Sequence, residues 1–181
     1  MAKMTKKGQL WIETVIYVLI GLVLIGLALT FILPKINGER DKGIVEQSIV
    51  SLSVLDDKIN EVIDRGKDNK RVVEFSMQRG NLYFIPENNK IVFIIDGLSK
   101  PYSEPGVSVP VGRVIVKTTE GKKTSSVNLT LEYGGLSANL TFNNDENMQK
   151  FTPSTLPYRF SIENKGKNPS DDYYIIDITK I

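Results

Sequence analysis

Two hydrophobic periodicities divide the chain. From Thr14 to Leu33 the sequence TVIYVLIGLVLIGLALTFIL holds no charge over 20 positions. At about 1.5 Å per residue, a helix of that length spans the roughly 30 Å hydrocarbon layer, so the run predicts a membrane-crossing helix. Pro34 follows at once; it lacks a backbone donor and clashes with the preceding turn, which predicts a kink or an end there. Lys35 to Gly43 is charged and contains Gly38 and Gly43, so a local unwinding over 34–43 is expected. A second period then begins. Apolar residues at Ile44, Val45, Ile49, Leu52, Leu55, Ile59, Val62 and Ile63 recur at steps of three and four, which predicts an amphipathic helix stopped by Gly66. Its polar face is assigned Glu46, Asp56, Asp57, Lys58, Glu61 and Asp64. Packing on a domain of its own is the simplest use of such a helix, ahead of a coiled-coil seam between subunits.

Beyond Gly66 the pattern shifts to short alternating runs: Arg71 to Gln78, Asn81 to Ile85, Lys90 to Ile95, Arg113 to Thr119, Ser125 to Tyr133, Leu136 to Phe142, Tyr158 to Glu163 and Tyr173 to Thr179. They are rich in Val, Ile, Phe and Tyr and bounded by turn signals such as Arg79-Gly80, Glu120-Gly121 and Gly134-Gly135. Lys100 to Pro110, with three prolines and a glycine, reads as a loop. The expected fold is α+β: a long N-terminal transmembrane and amphipathic helix, with a possible break near Pro34, followed by an antiparallel β-rich head over 67–181 of sandwich type. Setting the apolar segment aside leaves about 145 residues, enough for one modest core.

Charge sharpens this picture. Removing Lys3, Lys6, Lys7 and Glu13 from the 23 basic and 21 acidic residues leaves a net charge of zero on the rest. A neutral head argues against nucleic-acid binding, which draws on concentrated Lys and Arg. The flanks of the apolar run tie in basic residues, Lys3, Lys6 and Lys7 before it and Lys35, Arg40 and Lys42 after it. Only the first flank is short and free of acids, which favours the amino terminus inside and the head outside. The chain has no Cys and no His. Disulfides, Cys nucleophiles, Ser-His-Asp triads and the usual zinc sites are thereby excluded. No phosphate loop is present, so no catalytic, cofactor or metal residues are assigned. The acidic clusters Asp56-Asp57, Asn143 to Glu146 and Asp171-Asp172 lack EF-hand spacing and read as solvated helix face and turns.

A carboxylate at Glu13, one residue before the apolar run, is costly if it enters lipid unpaired. Its setting, Lys6-Lys7-Gly8-Gln9-Leu-Trp-Ile-Glu13, resembles the class III signal peptide of type IV pilin-like proteins, especially the archaeal pilins. The resemblance is strongest over residues 1–66. It implies cleavage by a prepilin peptidase between Gly8 and Gln9, with Lys6 and Lys7 recognised by the peptidase. Residues 1–8 would be the signal peptide, 9–33 the membrane and filament-core helix, and 34–66 its continuation. Glu13 would then be the fifth mature residue, placed to neutralise the new α-amine of a neighbouring subunit and so to set assembly register. Desolvation offsets the attraction in such a pair, but either charge left alone is strongly penalised, which selects for correct stacking. The implied partners are the peptidase, other pilin subunits, the membrane, and a pilus assembly ATPase with its platform protein. The implied function is structural, in an extracellular filament for adhesion or motility, without cofactor or catalysis.

Other readings remain open. An uncleaved single-pass protein with a ligand-binding outer domain fits the same anchor, and small residues at Gly26-Leu-Ala28 allow a secretory signal cut there. A membrane-tethered enzyme is disfavoured by the missing residue types. The triplets Asn128-Leu-Thr130 and Asn139-Leu-Thr141 are N-glycosylation sequons, while Asn168 fails because Pro169 follows it.

Overall fold

A computed structural model of the chain describes residues 6–135, 138–167 and 173–181, with side chains in the first helix from Trp11 onward. The expected Leu136, the Asn168-Pro169 step and the Asp171-Asp172 pair lie outside the described residues. The molecule divides into two units, Met1–Arg40 and Asp41–Ile181.

Helix α1 runs from Lys6 to Arg65 without interruption, so the unwinding expected over 34–43 does not occur. Pro34 sits inside the helix. It removes the donor that would reach the carbonyl of Thr30, and in the interior of a soluble helix this costs about 3 kcal/mol. Thr30 turns its own hydroxyl back onto the carbonyl of Leu27 at 2.6 Å, a bond of the kind that bends helices locally. Two forces carry the helix through. An apolar segment in lipid must satisfy its backbone internally, and the turns after Pro34 are stabilised by packing of the later face.

Within the second unit the predicted face of α1 is the buried one: Val45, Ile49, Leu52, Leu55, Ile59 and Val62 lie in the core, with Ile44 and Ile63 packed against it. The helix stops where expected. Gly66 adopts φ +81°, its N–H returns to the carbonyl of Ile63, and the Asn69 side chain donates to the carbonyls of Arg65 and Gly66.

Among the described residues ten strands follow: β1 Lys70–Phe75, β2 Asn81–Ile85, β3 Lys90–Leu98, β4 Ser108–Val111, β5 Val114–Glu120, β6 Ser125–Glu132, β7 Ala138–Phe142, β8 Gln149–Phe151, β9 Tyr158–Lys167 and β10 Tyr174–Lys180. Two of these, β4 and β8, were not anticipated. The three prolines and glycine of Lys100 to Pro110 argue for a loop, yet Pro110 sits on an edge strand where a missing donor is tolerated. The strands form a four-stranded sheet ordered β1-β9-β10-β7 and a six-stranded sheet ordered β4-β5-β6-β3-β2-β8. All pairs are antiparallel except β7 with β10, which is parallel.

Alternation along each strand builds the core. In β6, Val127, Leu129 and Leu131 point inward and Ser126, Asn128, Thr130 and Glu132 outward. Phe84 from the six-stranded sheet meets Phe142 and Phe160 from the other at centroid distances of 5.3 and 5.2 Å, and Phe151 closes the group edge-on. Edge-to-face and tilted ring pairs of this kind add about 0.5–1.5 kcal/mol each beyond the area they bury. Sandwich packing is thus keyed by aromatics on one side and by the aliphatic face of α1 among the buried residues of the same core.

Candidate functional site: the membrane-length helix and the clasp on the head

In the first unit, every residue from Trp11 to Leu33 except the half-buried Gly21 is exposed. Trp11 is 74% and Phe31 79% accessible, and apart from the adjoining residues and the helix's own backbone nothing lies within 4 Å of where a side chain would begin at Gly21 or Gly26. An uninterrupted apolar surface of this extent marks a site covered by lipid or by other chains. The helix is long and apolar enough to cross a membrane and lies near the amino terminus, as in a single-pass membrane protein. Glu13 stands exposed on this helix, one position ahead of the uncharged run. Lys6, Lys7, Gly8 and Gln9 belong to the helix, and their side chains lie outside the described residues.

In the second unit α1 is gripped by three arginines of the β-domain, Arg71 on β1, Arg79 in the β1–β2 connection and Arg113 in the β4–β5 turn. Arg79 Nη1 donates to Asp41 Oδ1 at 2.8 Å, and its Nη2 donates to the carbonyl of Gly97. Ser99 donates its N–H and its hydroxyl to Asp41 Oδ2, both at 2.6 Å. Burial raises the Asp41 carboxyl, but the Ser99 bonds and the Arg79 charge outweigh it and hold the group below the ordinary carboxylate range. Gly97 is where β3 bulges, between Ile95 and Leu98, at φ +73°. That bulge turns a carbonyl toward Arg79.

Fifteen residues further along, Asp56 is buried, contrary to its assignment to the solvated face. Its Oδ1 accepts from the Tyr133 hydroxyl at 2.7 Å and its Oδ2 pairs with Arg113 Nε at 2.9 Å. Arg113 also lies over the Tyr133 ring at 5.5 Å and donates to the carbonyl of Glu132. Burial, then the neighbouring Asp56 charge, pushes the Tyr133 phenol far above its usual range. The signal was present in the sequence. Position 56 follows Leu52 by four and precedes Ile59 by three, inside the apolar stripe, so an acid there required a buried partner.

The third pair is Arg71 Nε to Glu61 Oε1 at 2.9 Å, with Lys58 on the other oxygen at 2.8 Å. Bonds from Lys58 and then Arg71 lower the Glu61 carboxyl to about 2. A neutral link completes the row: Asn164 donates to the carbonyl of Val62 at 3.2 Å. Nothing local in the sequence pairs Asp41 with Arg79 or Glu61 with Arg71, since the partners come from a different element in each case.

On the opposite, outward face of the same turns, Val50 is 62% and Val54 43% accessible. These two apolar residues one turn apart stay largely exposed among the described residues. Asp57 is exposed, as expected of the solvated face. Asp145 bonds Asn147 within its turn, and among the described residues no group of three or more acidic side chains could hold a metal. Both sequons lie in strands, Asn128 on β6 and Asn139 on β7.

Compared with known family models, curated proteins and solved structures, the chain matches none of them.

Proposed function

We propose that the chain is a structural subunit of an extracellular filament of the type IV pilus kind, held in the membrane by α1 before assembly. The observation that carries this reading is the division of one continuous helix into two surfaces. From Thr14 to Leu33 it is uncharged and, apart from Gly21, exposed, and its second half is fixed by ion pairs and a core face to a β-head. A plain anchor needs only the apolar run. A subunit that leaves lipid for a bundle of like helices also needs a rigid link that transmits position from helix to head, and exposed apolar positions such as Val50 and Val54 where neighbours pack.

On this reading the head faces outward and the amino terminus inward. Prepilin peptidase cuts between Gly8 and Gln9 after recognising Lys6 and Lys7. Glu13 then neutralises the new amine in the assembled state, and the filament grows from like subunits with an assembly ATPase and platform protein. The protein is structural, with no catalytic role. Its target in adhesion or motility is left to the filament surface.

Mass analysis of the amino-terminal peptide of the native protein tests the cut. A start at Gln9 is expected; a start at Met1 points instead to an uncleaved anchor with a ligand-binding head, and one near Leu29 to a secretory signal. Glu13→Ala should insert into membranes at the wild-type level while filaments disappear from electron micrographs. Wild-type filaments from that variant would remove the register role.

A further inference from the structure

The outward face of the six-stranded sheet belongs neither to the core nor to the clasp. Its centre is β6, where Asn128 lies opposite Ile94 of β3 and Lys117 of β5, and Thr130 opposite Val92 and Ile115. Val92, Ile115, Lys117, Asn128 and Thr130, with the Lys90–Glu132 ion pair at one margin, border an open hollow of about 410 Å³, and Ile94 lies beside it opposite Asn128. Val92, Ile94 and Ile115 are only half-buried, so apolar surface faces solvent in the middle of a wide sheet. Within the sequon the intervening Leu129 is fully buried. The strand period therefore sets Asn128 and Thr130 side by side on the solvent face. Neither side chain makes a hydrogen bond to the described residues.

The second sequon differs at both ends. Asn139 Oδ1 accepts from Asn89 Nδ2 at 3.0 Å, while Asn89 Oδ1 accepts the N–H of Leu140 at 2.8 Å, so the carboxamide belongs to the cap on the edge of β7. The Thr141 hydroxyl donates to the buried Asp177 at 2.7 Å.

We infer that Asn128 is an N-glycan acceptor, that its sugar lies over Val92, Ile94 and Ile115 as the cover of this face, and that Asn139 is unmodified. The inference rests on the outward orientation of the head argued above. In the transfer step, Asn128 Nδ2 forms a bond to the anomeric carbon of a lipid-phosphate-linked oligosaccharide. The bond from that carbon to the donor phosphate breaks, the phosphate leaves with the electron pair, and Nδ2 gives up one proton. The amide oxygen stays free, and Thr130 keeps its hydroxyl.

The test uses native protein from its own cells. A glutamate-specific protease cutting after Glu120 and Glu132 separates the two sequons, leaving Asn128 in a Gly121–Glu132 peptide. Mass spectrometry should show a sugar on that peptide and none on the peptide carrying Asn139. Asn128→Gln and Thr130→Val should each abolish the added mass, and Asn139→Gln should leave it. A bare Gly121–Glu132 peptide, or sugar on Asn139 alone, overturns the inference. Protease treatment of intact cells, run in parallel, tells which premise failed: digestion of the head keeps the outward orientation and rejects only the glycan, whereas protection rejects both.

Discussion

Single side chains decide how α1 is held. Asp56 is almost fully buried and both its oxygens are occupied, by the Tyr133 hydroxyl and by Arg113. Such a pair adds little beyond a well-packed apolar substitute, but losing one partner leaves a charge stranded. Arg113→Met should therefore destabilise the head by about 3 kcal/mol, and Tyr133→Phe, which strips only a donor, by about 1–2 kcal/mol. Chemical denaturation followed by circular dichroism ranks them, and equal losses would contradict the argument. Glu61 carries the pH dependence. Its carboxyl sits at about 2 in the folded head against an ordinary 4.5. A depressed folded value means that its contribution is complete above about 4.5 and is lost as pH falls from there toward 2. Melting temperatures of wild type and Glu61→Gln should therefore differ at pH 6 and converge near pH 2.

Elements impose the next set of constraints. β2 enters the six-stranded sheet through Gly80 at φ +96°, where an added Cβ would sit 2.6 Å from the carbonyl oxygen of Ile94. The contact is with backbone, which cannot swing aside, and the φ is one that L side chains rarely adopt. Gly80→Ala should lower stability by about 2 kcal/mol, read from the same denaturation curves. The sheets also blunt their edges. Pro110 removes a donor from β4, β8 has only three residues, and Asn89 caps β7 by bonding Leu140. These devices keep the head from adding strands of another chain. Polymerisation, on the proposed function, is thereby left to the helix.

At the scale of the whole molecule, the two units differ in what stabilises them. The second unit, Asp41–Ile181, holds its core, its clasp and all ten strands. In the first, the residues from Trp11 to Leu33 are exposed apart from the half-buried Gly21, on a helix long and apolar enough to cross a membrane. A fragment starting at Asp41 should accordingly fold as a soluble monomer with dispersed amide resonances and a cooperative melt. A molten spectrum would mean that the apolar segment contributes to the fold of the head.

The sequence alone determined the apolar run, the amphipathic face from Val45 to Val62, the stop at Gly66 and eight of the strands. Each is a local pattern whose period matches one backbone conformation. Tertiary structure decided the rest, because it depends on partners distant in the chain or on energies summed over many turns. Pro34 and the glycines after it argued for a break, and the cooperative helix on either side overrode them. The prolines of the 100–110 stretch hid β4, which only pairing with β5 reveals. Asp56 read as one more surface acid until Tyr133 and Arg113, brought in by β6 and the β4–β5 turn, supplied the donors that allow it to be buried.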